Sequence, residues 1–245
     1  MNKSISKKNS ADQTIAPGAE ELPAIEVIRQ ALDTHHPAIA LACSFSAEDI
    51  VVLDMMMKVN RQARVFALDT GRLDEETYEV ADAIRQRWEI DIEWFFPDKE
   101  DVEKMIRTRG VYSFRHSIEN RQECCRIRKV EPLRRALDGL TAWITGLRRD
   151  QAVTRNRLTQ FETDPGHGNI IKVNPIANWT LQEVWDHVQA HELPYNRLYR
   201  QRYTQIGCEP CTTSVRPGED PRAGRWRWEA PEQKECGLHN HGSGI

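Results

Sequence analysis

Long apolar runs are missing from this 245-residue chain. None approaches the roughly 20 residues that a membrane-crossing helix requires, so no membrane role is expected. The opening stretch MNKSISKKNSADQTIAPGAE has no hydrophobic segment of the kind a secretory signal uses, and its polar composition predicts a disordered lead-in over 1–20. Excess positive charge is also absent. The formal net charge is −3, which disfavours general nucleic-acid binding despite locally dense arginine. Internal repeats and low-complexity tracts are lacking. What remains is 39% apolar and 29% charged, a composition that predicts a soluble, cytoplasmic chain with one large domain or a domain with extensions. Six cysteines in such a setting point to ligands or catalysts rather than disulfides.

The hydrophobic pattern alternates between two periods. Helical spacing covers Leu22 to His35, and a continuous apolar run, AIALAC, covers Ala38 to Cys43. A Ser-rich turn follows, then a helix from Ile50 to Val59, with Ser46 and Asp49 spaced as in a capping box. Strands are predicted at Val65–Leu68, Ile90–Phe96, Ala142–Thr145 and Ile170–Val173. Helices are predicted at Glu75–Arg87, Glu100–Arg109, Glu123–Leu137 (with a break near Pro132) and Thr180–His191. Gln160 to Gly168 is expected as loop. Strands alternating with helices predict an α/β fold with a parallel sheet. The expected organisation is a nucleotide-binding domain over 21–205 and a C-terminal segment over 206–245.

Four places carry candidate chemistry. The turn Cys43–Asp49 leads from a strand into a helix N-terminus, where unpaired N–H groups favour phosphate, and Ser44 and Ser46 would add hydroxyls. An ordinary helix cap explains the same residues. The Walker pattern is absent: its glycines and its Lys-Ser/Thr are missing. Leu68-Asp69-Thr70-Gly71-Arg72 and the loop containing Arg148 also follow strands, on the edge where open α/β sheets bind ligands. Cys124 and Cys125 are adjacent, while Cys208 and Cys211 are spaced two apart. Four thiolates suit an iron–sulfur cluster or a zinc ion, and buried free thiols remain the plain alternative. Cys236 lies in a Gly- and Pro-rich tail between Lys234 and His239, either a reactive thiol or an idle one. Cys43 ends a strand and reads as core.

Taken in order, SFSAED, LDTGR, ECCRIRK, TGLRRDQ, IGCEPCT, GEDPRAGRW and KECGLH closely resemble the assimilatory adenylyl-sulfate (APS) reductases, relatives of the phosphoadenylyl-sulfate (PAPS) reductases. The resemblance runs from about Ala38 to His239. It implies an adenine-nucleotide α-hydrolase-like fold with a mobile C-terminal tail. The implied reaction is thioredoxin-dependent reduction of adenosine 5′-phosphosulfate to sulfite and AMP. The two cysteine pairs imply a [4Fe–4S] cluster on Cys124, Cys125, Cys208 and Cys211, with Cys236 as nucleophile. Lys129, Arg222, Arg225 and His239 then fall on residues that meet the phosphosulfate or adjoin the cluster. Ser44, Ser46, Leu68, Asp69, Thr70, Gly71 and Arg148 fall on nucleotide loops. Two departures stand out: Ser46 where many members have glycine, and Tyr199 where a histidine is usual.

The implied chemistry is physically coherent. A thiolate must attack the sulfur of an anionic group, and surrounding arginine and lysine offset the repulsion. Attack by Cys236 gives an S-sulfocysteine, which a thioredoxin or a glutaredoxin-like thiol donor then reduces. The alternatives are a PAPS-reducing or dual-substrate enzyme, an ATP-using pyrophosphatase of the same fold, and a zinc-stapled nucleotide-binding or redox-sensing module. Assembly into a homo-oligomer is left open.

Overall fold

The computed structural model describes residues 21–151 and 155–230. Its centre is a six-stranded sheet in the order β3-β2-β1-β4-β6-β5. The strands are β1 (Ile39–Ala42), β2 (Arg64–Leu68), β3 (Glu93–Phe95), β4 (Ala142–Ile144), β5 (Phe161–Asp164) and β6 (Ile170–Val173). All neighbours pair in parallel except β5, which is antiparallel to β6. The helices are α1 (Ala24–His35), α2 (Ala47–Val59), α3 (Glu75–Trp88), α4 (Lys99–Arg109), α5 (Ile118–Cys125), α6 (Glu131–Ala136) and α7 (Leu181–Ala190).

The short apolar runs are strands buried on both faces. Ile39 and Leu41, Val65 and Ala67, and Ala142 and Ile144 point to one face, into a core shared with α1, α2, α3 and α7. Ala40, Phe66 and Trp143 point to the other, against Leu133, Ala136 and Leu137. The two-residue period thus places helices on both sides of the sheet. Helix α2 is buried over eleven consecutive residues, Ala47 to Met57. Its weak amphipathicity follows from that position, since a helix covered all round needs no polar face.

Three expectations are corrected. The segment expected as loop at Gln160–Gly168 contributes β5, which closes the sheet edge. The helix expected at Glu123–Leu137 begins earlier, at Ile118, and passes through a π-helical run over Arg126–Val130 before α6 resumes. Pro132 sits in the first turn of α6, where its missing N–H is tolerated, so the irregularity precedes it. At α2, Ser46 caps the helix by accepting from the Asp49 N–H, but the Asp49 carboxylate turns to Ser44 rather than back to Ser46. The capping box is therefore half-formed. Thr180 and Glu183 do form a complete one at α7.

Candidate active site

The direction of the order reverses between β1 and its two neighbours, β2 and β4, and a crevice opens beyond the strand ends at such a point. Here the crevice is a cleft of about 1560 Å³. Ser44, Ser46, Leu68, Thr70, Lys129, Arg148, Arg222 and Arg225 all line it. Eight residues proposed for one site from scattered motifs therefore meet in one place. Asp69 and Gly71 serve the turn itself: the Asp69 carboxylate accepts the Gly71 N–H at 2.7 Å and the Tyr78 hydroxyl at 2.9 Å. Gly71 has φ of +68°, a left-handed conformation that a side chain disfavours.

The loop after β1 is held by α2. Phe45 adopts φ of +64°, uncommon for an aromatic, and is anchored by burial of its ring in the core. The Asp49 carboxylate accepts the Ser44 N–H at 2.7 Å and its hydroxyl at 2.5 Å, then reaches across to accept the Gly146 N–H at 3.1 Å. Gly146 is required there, because a Cβ would collide with that carboxylate and with the α2 backbone. One buried acid thus fastens the loops after β1 and β4 together.

Burial pushes the Asp49 carboxyl up to about 6, against the opposing pull of its Ser44 hydrogen bonds. Between the ordinary carboxyl range and about 6 the folded chain holds a proton that the unfolded chain releases. Its contribution to stability is therefore present at low pH and lost as pH rises through about 6. Carboxyl-carbon NMR should find the Asp49 resonance titrating near pH 6; a midpoint near 4 would contradict this environment.

Beside it, Glu48 and Arg148 form a buried ion pair at 2.9 Å. Arg148 also donates to the Trp179 carbonyl at 3.3 Å, and Gln151 donates to Glu48 at 3.0 Å. The Arg148 charge is thus neutralised within the wall. Glu48→Ala is expected to destabilise the fold by about 3 kcal/mol, because a buried guanidinium loses its partner. Chemical denaturation measures this, and a loss below about 0.5 kcal/mol would show that water and the existing pair with Asp150 at 3.4 Å suffice for Arg148. The Tyr199 hydroxyl accepts the Ala47 N–H at 3.2 Å, which ties residue 199 to the start of α2.

The cysteines gather on the neighbouring side of Thr70. Cys124, Cys208 and Cys211 are buried in one cluster with Met105, Phe114, Ile127 and Trp226. Cys125 is half-buried on the last residue of α5. Residues 206–230 are pinned to the body here: the Glu209 N–H donates to the Arg72 carbonyl and Glu229 forms a buried ion pair with Arg121 at 2.6 Å. Cys208 Sγ lies 3.3 Å from the Thr70 hydroxyl. Its burial disfavours the thiolate, but Lys129, the Thr70 hydrogen bond, Arg225 and Arg72 outweigh it and pull the thiol down. Burial and the neighbouring Cys208 push Cys211 up to about 11, and burial likewise raises Cys124. Lys129 faces both the cleft and the sulfurs, the position that the resemblance implies for it.

The surroundings fit a polyanionic group held by these sulfurs. Arg72 Nη1, Arg128 Nε, Arg225 Nε and Trp226 Nε1 are buried donors with no hydrogen-bond partner among the described residues. Buried donors are ordinarily satisfied, and several unsatisfied cationic ones beside thiols are costly unless an anion accepts from them. No three of the cysteine sulfurs among the described residues lie within 4.8 Å of one another. A single zinc with 2.3 Å bonds needs sulfurs about 3.8 Å apart, whereas a larger cluster spreads them. Arg72 belongs to the strand-end turn already marked in the sequence, whereas Arg128 and Trp226 carry no role there beyond their place in the runs ECCRIRK and GEDPRAGRW. For Arg128 the detectable signal was the run ECCRIRK, which leads into the π-helical stretch Arg126–Val130, a geometry of the sort that marks functional sites. Cys236 and His239 lie outside the described residues.

Comparison with known proteins gives consistent answers. Residues 38–214 match the phosphoadenosine phosphosulfate reductase domain. The chain is 44% identical over 219 residues to an adenosine 5′-phosphosulfate reductase of Allochromatium vinosum, covering 89% of this chain and 85% of that one. It is 42% identical over 221 residues to one from Burkholderia cepacia, covering 90% and 88%. Among solved structures it is similar to a phosphoadenylyl-sulfate reductase of Candida auris in a phosphate complex, with a TM-score of 0.68, 27% identity, and coverage of 80% and 91%.

Proposed function

This chain belongs to the phosphoadenosine phosphosulfate reductase family, and from that premise we propose that it reduces adenosine 5′-phosphosulfate to sulfite and AMP in assimilatory sulfate reduction. The observation that carries the proposal is the cleft itself. It places Lys129, Arg222 and Arg225 between strand-end loops suited to a nucleotide and a set of buried cysteines. The relatives at 42–46% identity named adenosine 5′-phosphosulfate reductase support that substrate over its 3′-phosphorylated form.

In the proposed reaction the nucleotide lies along the loops after β1, β2 and β4. The N–H groups of Ala47, Asp49 and Ile50 at the start of α2 are already taken by Tyr199 and Ser46, and the Asp49 clasp keeps the loops of Ser44 and Gly146 in register beside the phosphate. Lys129, Arg222 and Arg225 neutralise the phosphosulfate, which lowers the repulsion felt by an incoming thiolate. The Cys236 thiolate forms an S–S bond to the sulfate sulfur while the S–O bond to phosphate breaks, and AMP leaves with that bonding pair. A thiolate of a thioredoxin or glutaredoxin-like dithiol then attacks Cys236 Sγ and expels sulfite. Its second thiol resolves the mixed disulfide, so two thiols are oxidised as sulfur is reduced by two electrons. Cys124, Cys125, Cys208 and Cys211 would hold a [4Fe–4S] cluster, which when bound supplies a compact negative charge that accepts from Arg72, Arg128 and Arg225. The segment over 206–245 then has two parts in this reading: 206–230 completes the cluster site, and the remainder delivers Cys236. The reading places the chain in the cytoplasm, a compartment that keeps thiol donors reduced.

Sulfite release measured with each nucleotide in turn tests the substrate. Adenosine 5′-phosphosulfate is expected to give at least tenfold higher kcat/KM than the 3′-phosphorylated form. Equal or faster release from the latter would reassign the enzyme.

A further inference from the structure

Helix α2 carries three buried acids, and two of them serve the cleft. The third, Asp54, lies two turns further on, about 12 Å along the axis from Ser46 at a rise of 1.5 Å per residue. It faces α7. There His187 Nε2 lies 2.9 Å from Asp54 Oδ2. His191 sits one turn beyond His187, and the two imidazole centroids are 4.3 Å apart. One ligand atom from each of Asp54, His187 and His191 lies within 4.8 Å of the others. A small open cavity of about 400 Å³ adjoins the pair, with Trp179 as its apolar wall.

We propose that Asp54, His187 and His191 form a binding site for a divalent transition metal of the zinc class, separate from the cleft and bridging α2 to α7. Two histidines at i and i+4 present their nitrogens on one helix face, the spacing used by helical zinc sites. A carboxylate from a second helix completes a His₂-carboxylate set, and water fills the fourth position. Tetrahedral coordination at 2.0–2.1 Å brings ligand atoms to about 3.4 Å apart. The set must therefore close by roughly an ångström, and His191, exposed at the C-cap of α7, is free of the core packing that would prevent it. Lys58 now donates to Asp54 Oδ2 at 2.7 Å. Its side chain is 44% exposed, so it can withdraw to solvent at little cost when a cation replaces it. The other nearby acids are already engaged: Glu183 in the α7 capping box, Asp186 with Gln182. The set is thus three protein ligands, the number that binds a borderline cation reversibly.

The test is zinc titration of the untagged, anaerobically purified chain against a competing chromophoric chelator. Wild type is expected to bind one more zinc equivalent than His191→Ala, with micromolar or better affinity. All six cysteines are kept in both, so thiolate-bound zinc cancels in the comparison. His187→Ala should lose the same equivalent. His191→Ala alone suffices if His187→Ala fails to fold, because His191 is exposed. Zinc should also shift the ring-nitrogen resonances of His187 and His191 together, while sulfite release by His191→Ala without zinc equals wild type. Identical zinc stoichiometry in wild type and His191→Ala, or ring shifts confined to other histidines, would overturn the site and leave the reductase reading untouched.

Discussion

Replacing Cys236 by serine is expected to reduce sulfite release to background, a loss of at least a thousandfold, while nucleotide binding and cysteine-bound iron stay as in wild type. The reasoning is chemical. A serine hydroxyl is almost wholly protonated near neutral pH, whereas a thiol of pKa about 8.5 is partly ionised and is drawn lower by nearby cations. The cleft supplies them in Lys129, Arg222 and Arg225. Wild type given adenosine 5′-phosphosulfate without thioredoxin should accumulate a sulfonate adduct on the tail peptide, stoichiometric with the AMP released. Thioredoxin should then discharge it as sulfite. Mass spectrometry of the peptide locates the adduct. Finding it on Cys125 or Cys43, or finding full turnover by Cys236→Ser, would remove the tail from the reaction.

The second large effect concerns iron. Anaerobically purified chain is expected to contain about four irons and four inorganic sulfides. Cys208→Ser should lose both and lose activity with them. Cys208 is drawn toward its thiolate, against its burial, by Lys129 and Thr70, and it is bonded to the turn that borders the cleft. Without an anion to accept from them, the unsatisfied donors of Arg72, Arg128 and Arg225 would repel one another and admit water. The variant should therefore unfold at a lower denaturant concentration as well as lack colour. One zinc and no sulfide in wild type would assign the sulfurs to a zinc module, and a colourless but fully active Cys208→Ser would detach the cysteines from function.

Much of this was legible because the signals are local. Short continuous apolar runs gave β1, β2, β4 and β6 to within a residue or two, and strand-end loops gave the edge on which Ser44, Thr70 and Arg148 meet. The antiparallel β5 was not legible: FETD has one buried residue among four and no apolar run to announce it. Its place is set by pairing with β6, which is a long-range fact. The buried pairs were equally hidden. Glu48 and Asp49 read as ordinary first-turn acids, and only the approach of Arg148 and Gly146, about a hundred residues later, makes them fasteners. Arg128 went unmarked for the same reason. Arginines in a charged helix look like solvent groups until the fold encloses them.

The contact between Thr70 and Cys208 spans 138 residues. On a ribosome, synthesis at about 5–20 residues per second separates the two by roughly 7–28 seconds. During that interval β1, β2 and β3 can pair, and Cys124 and Cys125 emerge without their partners. Pairing so distant in sequence is slow to form, because loop closure must be achieved before any contact rewards it. The cysteine site is therefore a late event in biogenesis, completed after most of the sheet exists. Iron delivery must act on a nearly finished protein. Until it does, the segment from Ile206 to Ala230 should be the region that proteases and oxidants reach first, so limited proteolysis of iron-starved chain should cut there and spare the sheet.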